Sequence, residues 1–424
     1  MSSVAEVAAQ LQGYDPQALS VAGVNEFLLR LVHSIDAPQE LPLFEALGRV
    51  LAEDVISPIN VPPHDNSAMD GFALRGSELR PGEPLQLSRV GTALAGVAWR
   101  GPVGPGECVK IMTGAVMPDG LDTVVPQELV KRLAQDDLRI EIPANLLKLG
   151  DNRRHLGEDL RCGEVALQKG AHLGPAALGL VASLGLARVQ VQRRLKVAYF
   201  STGDEILSLG EPLREGAVYD SNRYTLFGLL SRLGCEVVDL GVVRDEPALL
   251  EAAFTNAASH CDAIITSGGV SVGEADFTKA MMKKLGDVAF WKIAMRPGRP
   301  MAVGRIGQAL LFGLPGNPVA VMVTFLAFVR PALLRLMGSS ALLPPLLKAY
   351  SLEPLRKKPG RTEYQRGTVS TAADGSLTVR TTGNQGSGVL SSMVQANGLI
   401  VLHHAQGDVA TGEPVDVMMF DGAI

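Results

Sequence analysis

The residues best equipped for chemistry lie in Asp262–Lys279, which reads Asp-Ala-Ile-Ile-Thr-Ser-Gly-Gly-Val-Ser-Val-Gly-Glu-Ala-Asp-Phe-Thr-Lys. An apolar run, Ala263 to Ile265, breaks into a loop holding Ser267, Gly268, Gly269 and Gly273, and a helix-compatible run starts near Phe277. Glycines without a Cβ let backbone N–H groups and a helix N-terminus face an anion. Glu274 and Asp276 would repel a phosphate unless a divalent cation stood between, so the loop reads as a metal–phosphate site. Asp276, just before a helix, serves equally well as an N-cap. Three further loops, Ser201–Glu205, Val243–Asp245 and Gly313–Pro318, also follow strand-like runs. They add Asp204, Glu205 and Asp245 as oxygen ligands for Mg2+, which takes one or two carboxylates together with substrate phosphates.

Cations are placed to match. Lys292, Arg296 and Arg299 fall within Trp291-Lys-Ile-Ala-Met-Arg-Pro-Gly-Arg-Pro, expected at a strand end and turn. Cations locked between prolines lose less entropy on gripping an oxyanion. Gly360-Arg-Thr-Glu-Tyr-Gln-Arg-Gly offers Arg361 and Arg366, and Gly383-Asn-Gln-Gly-Ser-Gly offers backbone amides and Ser387; alone, both would pass for a hairpin turn and its flank. Asp70 before Gly71, and Thr113 in Met112-Thr-Gly-Ala, read most simply as turn formers. His64 has no evident acid partner and reads as structural. No Ser/His/Asp constellation, HExxH or P-loop occurs, which argues against covalent and ordinary kinase mechanisms.

These loops need a scaffold that collects strand ends. Over 191–338, strand-like and helical runs alternate: Leu195–Phe200, then Leu226, Leu229, Leu230 and Leu233 at one-face spacing closed by Gly234, Cys235–Leu240, Pro247–Ser259, Asp262–Thr266, Phe277–Leu285 and Ala309–Phe312. A further helix starts at Pro318, with Asn317 at the N-cap. This predicts a doubly wound α/β domain whose ligands gather at the carboxyl ends of its strands. Residues 1–50 and 145–190 read as an elongated helical domain, with Val24, Phe27, Leu28 and Leu31 on one face and a second short helix at Leu43, Ala46 and Leu47. Glycines and prolines punctuate short β-type runs over 51–144, an inserted β-rich domain. After Leu343-Pro-Pro-Leu, residues 345–424 read as a small C-terminal β-barrel or sandwich.

The whole chain narrows the class. It has 424 residues and a net charge of −5 with both signs interspersed, so no general footprint for nucleic acid or an anionic membrane exists. Cys108, Cys162, Cys235 and Cys261 form no Cys-x-x-Cys pair and read as reduced core thiols of a cytoplasmic protein. Met1–Asp15 lacks the pattern of a secretory signal. The apolar runs Leu173–Leu186 and Val319–Val329 fall short of the ~20 residues a spanning helix needs and read as buried helices.

In combination, Asn66-Ser-Ala-Met-Asp-Gly-Phe-Ala, Met112-Thr-Gly-Ala, Gly157-Glu-Asp, Ser201-Thr-Gly-Asp-Glu, Ser267-Gly-Gly-Val-Ser-Val-Gly-Glu-Ala-Asp, Lys-x-x-x-Arg-Pro-Gly-Arg-Pro and Gly313-Leu-Pro-Gly-Asn-Pro resemble the MoeA and gephyrin E-domain family of molybdopterin molybdenumtransferases. The resemblance covers nearly the whole chain. It implies a four-domain elongated homodimer that acts on adenylylated molybdopterin with molybdate and Mg2+, releasing AMP. It also implies exchange with the molybdopterin adenylyltransferase and with downstream molybdoenzyme maturation proteins. Carried over by position, it gives catalytic roles to Asp70, Thr113, Glu205, Asp245, Asp276, Lys292 and Arg296, and metal ligation to Asp245, Asp276 and Glu274. Substrate binding falls to Ser267, Gly268, Gly269, Pro315, Asn317, Pro318, Arg366, Ser387, Arg154 and Asp159. Asp70 and Thr113 would reach the partner subunit's active site. Arg296 and Arg299 stand where the family commonly has lysines, and Arg153 where it has an apolar residue, which bears on oxyanion preference. Two other functions compete: a non-catalytic scaffold on the same fold, and a nucleotide pyrophosphatase using the glycine loop alone.

Overall fold

A computed structural model of the chain describes residues 3–133, 138–270 and 277–422. Glu274 and Asp276 therefore lie outside the described residues.

Helix α1 (Val4–Ala9) opens on a capping box between Ser3 and Glu6. Helix α2 (Val21–Leu31), capped by Ser20, buries Val24, Phe27, Leu28 and Leu31, the face its spacing predicts. The Phe27 ring meets Trp291 edge-on at 4.8 Å, so this helix belongs to the core of the α/β domain. The rest of the expected helical domain is corrected. Leu43, Ala46 and Leu47 make only one 3-10 turn, Leu43–Glu45, before Gly48 at φ +72°. Strand β1 (Pro38–Pro42) precedes that turn. Between 145 and 174 the chain runs in turns and two- or three-residue strands, because Gly150, Gly157, Gly163 and Gly170 all take positive φ.

The insert is a six-stranded sheet of β2 (Gly71–Leu74), β3 (Leu85–Ala93), β4 (Glu107–Ile111), β5 (Thr123–Pro126), β6 (Lys131–Arg132) and β7 (Arg139–Ile142), in the order β5-β2-β4-β3-β7-β6. Helix α3 (Pro175–Ser183) then fully buries only Val181, short of the buried helix expected there. Strand β8 (Arg188–Gln192) pairs antiparallel with β1, Pro38 opposite Gln192.

The α/β domain follows its predicted rhythm. Strands β9 (Lys196–Thr202), β10 (Glu236–Val243), β11 (Ala263–Ser267), β12 (Asp287–Lys292), β13 (Pro300–Ile306) and β14 (Ala309–Leu314) form one sheet in the order β10-β9-β11-β14-β13-β12. Its first four strands are parallel, β13 runs antiparallel to β14, and β12, antiparallel to β13, shares the direction of the first four. Alternation decides the faces. Val197 and Tyr199 join one core cluster with α4 (Ser221–Arg232) and the helical run from Pro318. Ala198 and Phe200 join a second cluster with α5 (Pro247–His260) and α6 (Phe277–Leu285). The sheet is thus covered on both faces. Helix α7 (Pro318–Thr324) passes through a π-helical turn, Phe325–Val329, into α8 (Arg330–Leu336). The 19 residues Pro318–Leu336 have the length and mean hydropathy (1.9) of a span, but 83 % of the run is buried inside the fold, as a core helix would be.

In the C-terminal region, β15 (Leu347–Ser351), β16 (Thr362–Thr371), β17 (Leu377–Thr381), β18 (Gly398–Leu402) and β19 (Pro414–Met419) close as β16-β17-β15-β19-β18-β16, a five-stranded barrel. Cys108, Cys235 and Cys261 are buried free thiols, whereas Cys162 is exposed. Burial pushes the Cys108 and Cys235 thiols up to about 12, so neither supplies a thiolate nucleophile.

Candidate active site

The four parallel strands β9, β10, β11 and β14 end on one edge, and the loops leaving them meet a loop of the C-terminal barrel around a cavity of 1130 Å3. Glu205 and Asp245 line it from the loops after β9 and β10. Ser267, Gly268 and Gly269 line it after β11, and Pro315, Asn317 and Pro318 after β14. Arg296 comes from the turn between β12 and β13, and Ser387 from the barrel. Ten of the residues singled out in the sequence thus share one wall system, none of them adjacent in sequence across loops.

Local bonding explains the shape. The Thr278 hydroxyl, at the start of α6, donates to Asp245 Oδ1 at 3.1 Å, fixing that carboxylate beside the helix. Gly268 and Gly269 take φ of +90° and +67°. A Cβ on Gly268 would lie 2.5 Å from the Thr202 carbonyl oxygen, and one on Gly269 2.5 Å from Thr278 Cβ. The space these glycines leave is thus filled on the Cβ side by the chain itself, so the missing side chains are required by the packing of the turn. Asn317 sits at the N-cap of α7, but its side chain does not cap. Its Nδ2 instead donates to Ser387 Oγ at 3.0 Å, while the Val319 amide donates to the Ser387 carbonyl at 3.1 Å. The barrel loop therefore clips onto the start of α7.

Arg366 is 1 % exposed and does not line the cavity. Its Nε donates to Ser392 Oγ at 3.0 Å, and its Nη2 to the Asn384 and Gly386 carbonyls at 3.2 and 3.0 Å. Its backbone exchanges bonds with the Gln385 amide at 2.8 and 3.1 Å. Arg366 thus moulds the Asn384–Gly388 loop that carries Ser387. Burial, and then the Arg296 charge, lower its pKa, which places the two guanidinium groups within electrostatic reach. Lys292, half-buried where β12 pairs with Pro300, is likewise off the wall.

Asp70, Thr113, Arg154 and Asp159 form a second locus on and beside the insert. Asp70 Oδ1 accepts from the Thr113 amide at 2.7 Å and its hydroxyl at 2.8 Å, and these bonds hold the Asp70 carboxyl below its ordinary value. Arg154 pairs with Asn66, four residues before Asp70, and the Asp159 amide bonds Val61. Arg153, the family departure, forms an ion pair with Asp65. None of these residues lines the cavity of their own chain. His64 is exposed, as a structural reading allows.

The sequence reading passed over Asn222. On α4 it shares a face with Leu226 and Leu229, is 6 % exposed, and donates from Nδ2 to Ser267 Oγ at 3.2 Å and to the Gly316 carbonyl at 2.7 Å, tying two site loops together. A buried-face spacing of i, i+4, i+7 occupied by a polar residue was the available signal. Tyr199 and Ser201 complete a hydroxyl network under Ser267.

Comparison with known proteins identifies the family. Residues 19–185 match the family model "MoeA N-terminal region (domain I and II)", 198–335 "Probable molybdopterin binding domain", and 348–420 "MoeA C-terminal region (domain IV)". A molybdopterin molybdenumtransferase of Haemophilus influenzae is 46 % identical over 382 residues, 90 % of this chain and 93 % of that protein. One from Nostoc is 34 % identical over 420 residues, 96 % and 95 % of the two chains. The crystal structure of the molybdopterin biosynthesis moeA protein from Pyrococcus horikoshii OT3 superposes with a TM-score of 0.81 at 28 % identity, covering 95 % of this chain and all of that one. With its three regions matched in order and relatives above 30 % identity along nearly its whole length, the chain belongs to the MoeA family of molybdopterin molybdenumtransferases.

Proposed function

We propose that the cavity at the strand ends is where this transferase places molybdate on adenylylated molybdopterin with release of AMP, the last step in making the molybdenum cofactor. The observation that carries this is one cavity with carboxylates, Glu205 and Asp245, a cation, Arg296, and the polar clip Asn317–Ser387 on its walls.

The donor set fits Mg2+. Among the described lining residues the carboxylates bring only oxygen ligands, with no thiol or imidazole beside them. No group of three His, Cys, Asp or Glu side chains gathers among the described residues, which suits a cation that takes one or two carboxylates and completes its shell with phosphate oxygens and water. Asp245 and Glu205 would hold it, with Asp276 and Glu274 as further ligands on the family pattern; bound there, it would neutralise charge between the phosphates. The remaining work falls to the chain. Arg296 steadies the oxyanion, and the clipped barrel loop orients the substrate. The oxygen of water or molybdate adds to the adenylyl phosphorus as its bond to the bridging oxygen breaks, leaving the pterin as its phosphate monoester. Water gives AMP directly, and a molybdate oxygen gives an adenylyl–molybdate ester that water then cleaves to AMP and molybdate.

The family pattern further supports a cytoplasmic homodimer in which Asp70 and Thr113 complete the partner's cavity, with Arg154 and Asp159 as further substrate-binding residues. Their position away from their own cavity favours this arrangement. Phe44 (101 % exposed), Leu47 (53 %) and the thinly buried α3 supply an apolar face for the contact. The adenylyltransferase would deliver substrate and maturation proteins would take the product.

The test is AMP release from adenylylated molybdopterin, with and without molybdate. Asp245→Asn should fold normally and lose about 100-fold or more of the rate. A folded Asp245→Asn with wild-type release would sink the reading. Wild-type protein that hydrolyses an unrelated dinucleotide without needing molybdate would favour the pyrophosphatase, and no turnover at all would favour the scaffold.

A further inference from the structure

A second cavity, of 630 Å3, opens where the β1–β8 ribbon meets the α/β sheet. It lies at the opposite edge of the sheet from the active cavity. Lys196 and Glu236, which line it, are the first residues of β9 and β10, and β9 ends at Thr202 on the active cavity. Seven residues of strand at about 3.3 Å each put the two roughly 20 Å apart.

Four cations line this cavity: Arg49, Arg193, Arg194 and Lys196. Two are neutralised. Arg193 grips Asp262 through both terminal nitrogens at 2.7 and 2.6 Å, and Lys196 lies 3.4 Å from Glu236. The other two are not. Arg49 is 7 % exposed, and its guanidinium makes one bond among the described residues, Nη2 to the Gln192 carbonyl at 2.7 Å. Among the described residues the Arg194 guanidinium donates only to the Gly234 carbonyl, at 2.8 Å. Neither has an ion pair among the described residues; Glu45 lines the cavity but lies beyond salt-bridge distance of both. Burial, and then repulsion from Arg194, lower the pKa of Arg49. A buried guanidinium using one of its donors, beside a second cation and ion-paired to neither cavity carboxylate, Glu45 nor Glu236, is an incompletely compensated charge.

We propose that this cavity is a binding site for a tetrahedral oxyanion of the phosphate type, held between the Arg49 and Arg194 guanidinium groups. Guanidinium forks match such anions with paired N–H donors. The bound anion would join three segments: the turn carrying Arg49, the connector between β8 and β9, and the start of the parallel sheet. The proposal does not depend on the transferase reading. Inorganic phosphate and molybdate share the required chemistry, and the experiment separates them.

The full chain is titrated calorimetrically with phosphate, sulfate and molybdate at constant ionic strength, and thermal unfolding is followed at the same concentrations. Wild type should bind saturably and gain thermal stability with occupancy. Arg194→Gln, an exposed change, should weaken that binding about tenfold or more through the lost charge-assisted bond. Arg296→Gln should leave it intact, and Glu45→Gln should tighten it by removing a like charge. Because Arg49 also bonds Gln192, the decision rests on Arg194→Gln and not on Arg49 variants. Molybdate at least tenfold tighter than phosphate would identify a site that collects substrate anion; equal affinities would identify a general phosphate-type site. No saturable binding, equal binding in wild type and Arg194→Gln, or loss of this binding in Arg296→Gln overturns the proposal. So does a Glu45→Gln variant that is destabilised without anion, since Glu45 would then be the missing counter-ion.

Discussion

At the residue scale, the glycines of the central loop show how a motif's role can be assigned from space as well as from φ. Gly268 and Gly269 combine positive φ with neighbours that a Cβ would strike, whereas Gly316, in the loop after the neighbouring strand β14, has nothing within 4 Å and no positive φ. Gly268→Ala should therefore cost about 2–4 kcal/mol of unfolding free energy and Gly316→Ala less than about 1 kcal/mol, read from urea titration. Similar losses for both would refute the steric account. Both glycines were legible as a turn from sequence; the atoms that crowd them, Thr202 O and Thr278 Cβ, were not, because neither is near in the chain.

At the element scale, a buried arginine, Arg366, and a partly buried aspartate, Asp262, anchor a site loop and the start of a site strand. Arg366 fastens the barrel loop, so Arg366→Met should expose the bonds it makes to Asn384, Gly386 and Ser392. A stability loss of about 2 kcal/mol or more and faster proteolysis within 383–388 are expected. Unchanged cleavage kinetics would return Arg366 to a purely ligand-facing role. Asp262 anchors the start of β11 through Arg193 and the Lys196 amide at 2.8 Å. Burial alone would raise its pKa, but the Arg193 hydrogen bond and the Lys196 amide outweigh it, so the carboxyl is held below its ordinary value. The sign follows: the stability it contributes is present above the unfolded value and is lost as pH falls through the folded one. The difference between wild type and Asp262→Asn, on the order of 1 kcal/mol given the exposure of Arg193, should be constant from about pH 5 to 8 and shrink below about pH 4. Unfolding curves at pH 7, 5 and 3.5 check this, and a difference that grows on acidification contradicts it. The helical reading failed at this scale over 145–174, where glycines impose turns, and held only at Pro175–Ser183.

At the scale of the whole molecule, the site residues fall into two loci, one at the sheet edge and one on the insert. If the insert of one subunit completes the cavity of the other, inactive Asp70→Ala and Asp245→Asn proteins should complement after mixing and subunit exchange. Half the dimers would be mixed and half their sites intact, restoring about a quarter of wild-type AMP release. Mixtures as inactive as their components would show that Asp70 acts within its own chain or not at all.

Periodicity, punctuation and motif order in the sequence determined the α/β rhythm, the barrel, the family resemblance and ten residues of the cavity wall, because each of these is written in local spacing. Only the tertiary structure decided that Arg366 supports a loop, that Asn317 clips the barrel and does not cap its own helix, and that Asn222 ties two strand-end loops together. It also decided that Arg49 and Arg194 share a cavity in which, among the described residues, neither forms an ion pair. Those pairings join residues from 18 to 145 positions apart, and such contacts are set by how the sheet's edges, the ribbon and the barrel pack, a geometry on which local propensity is silent.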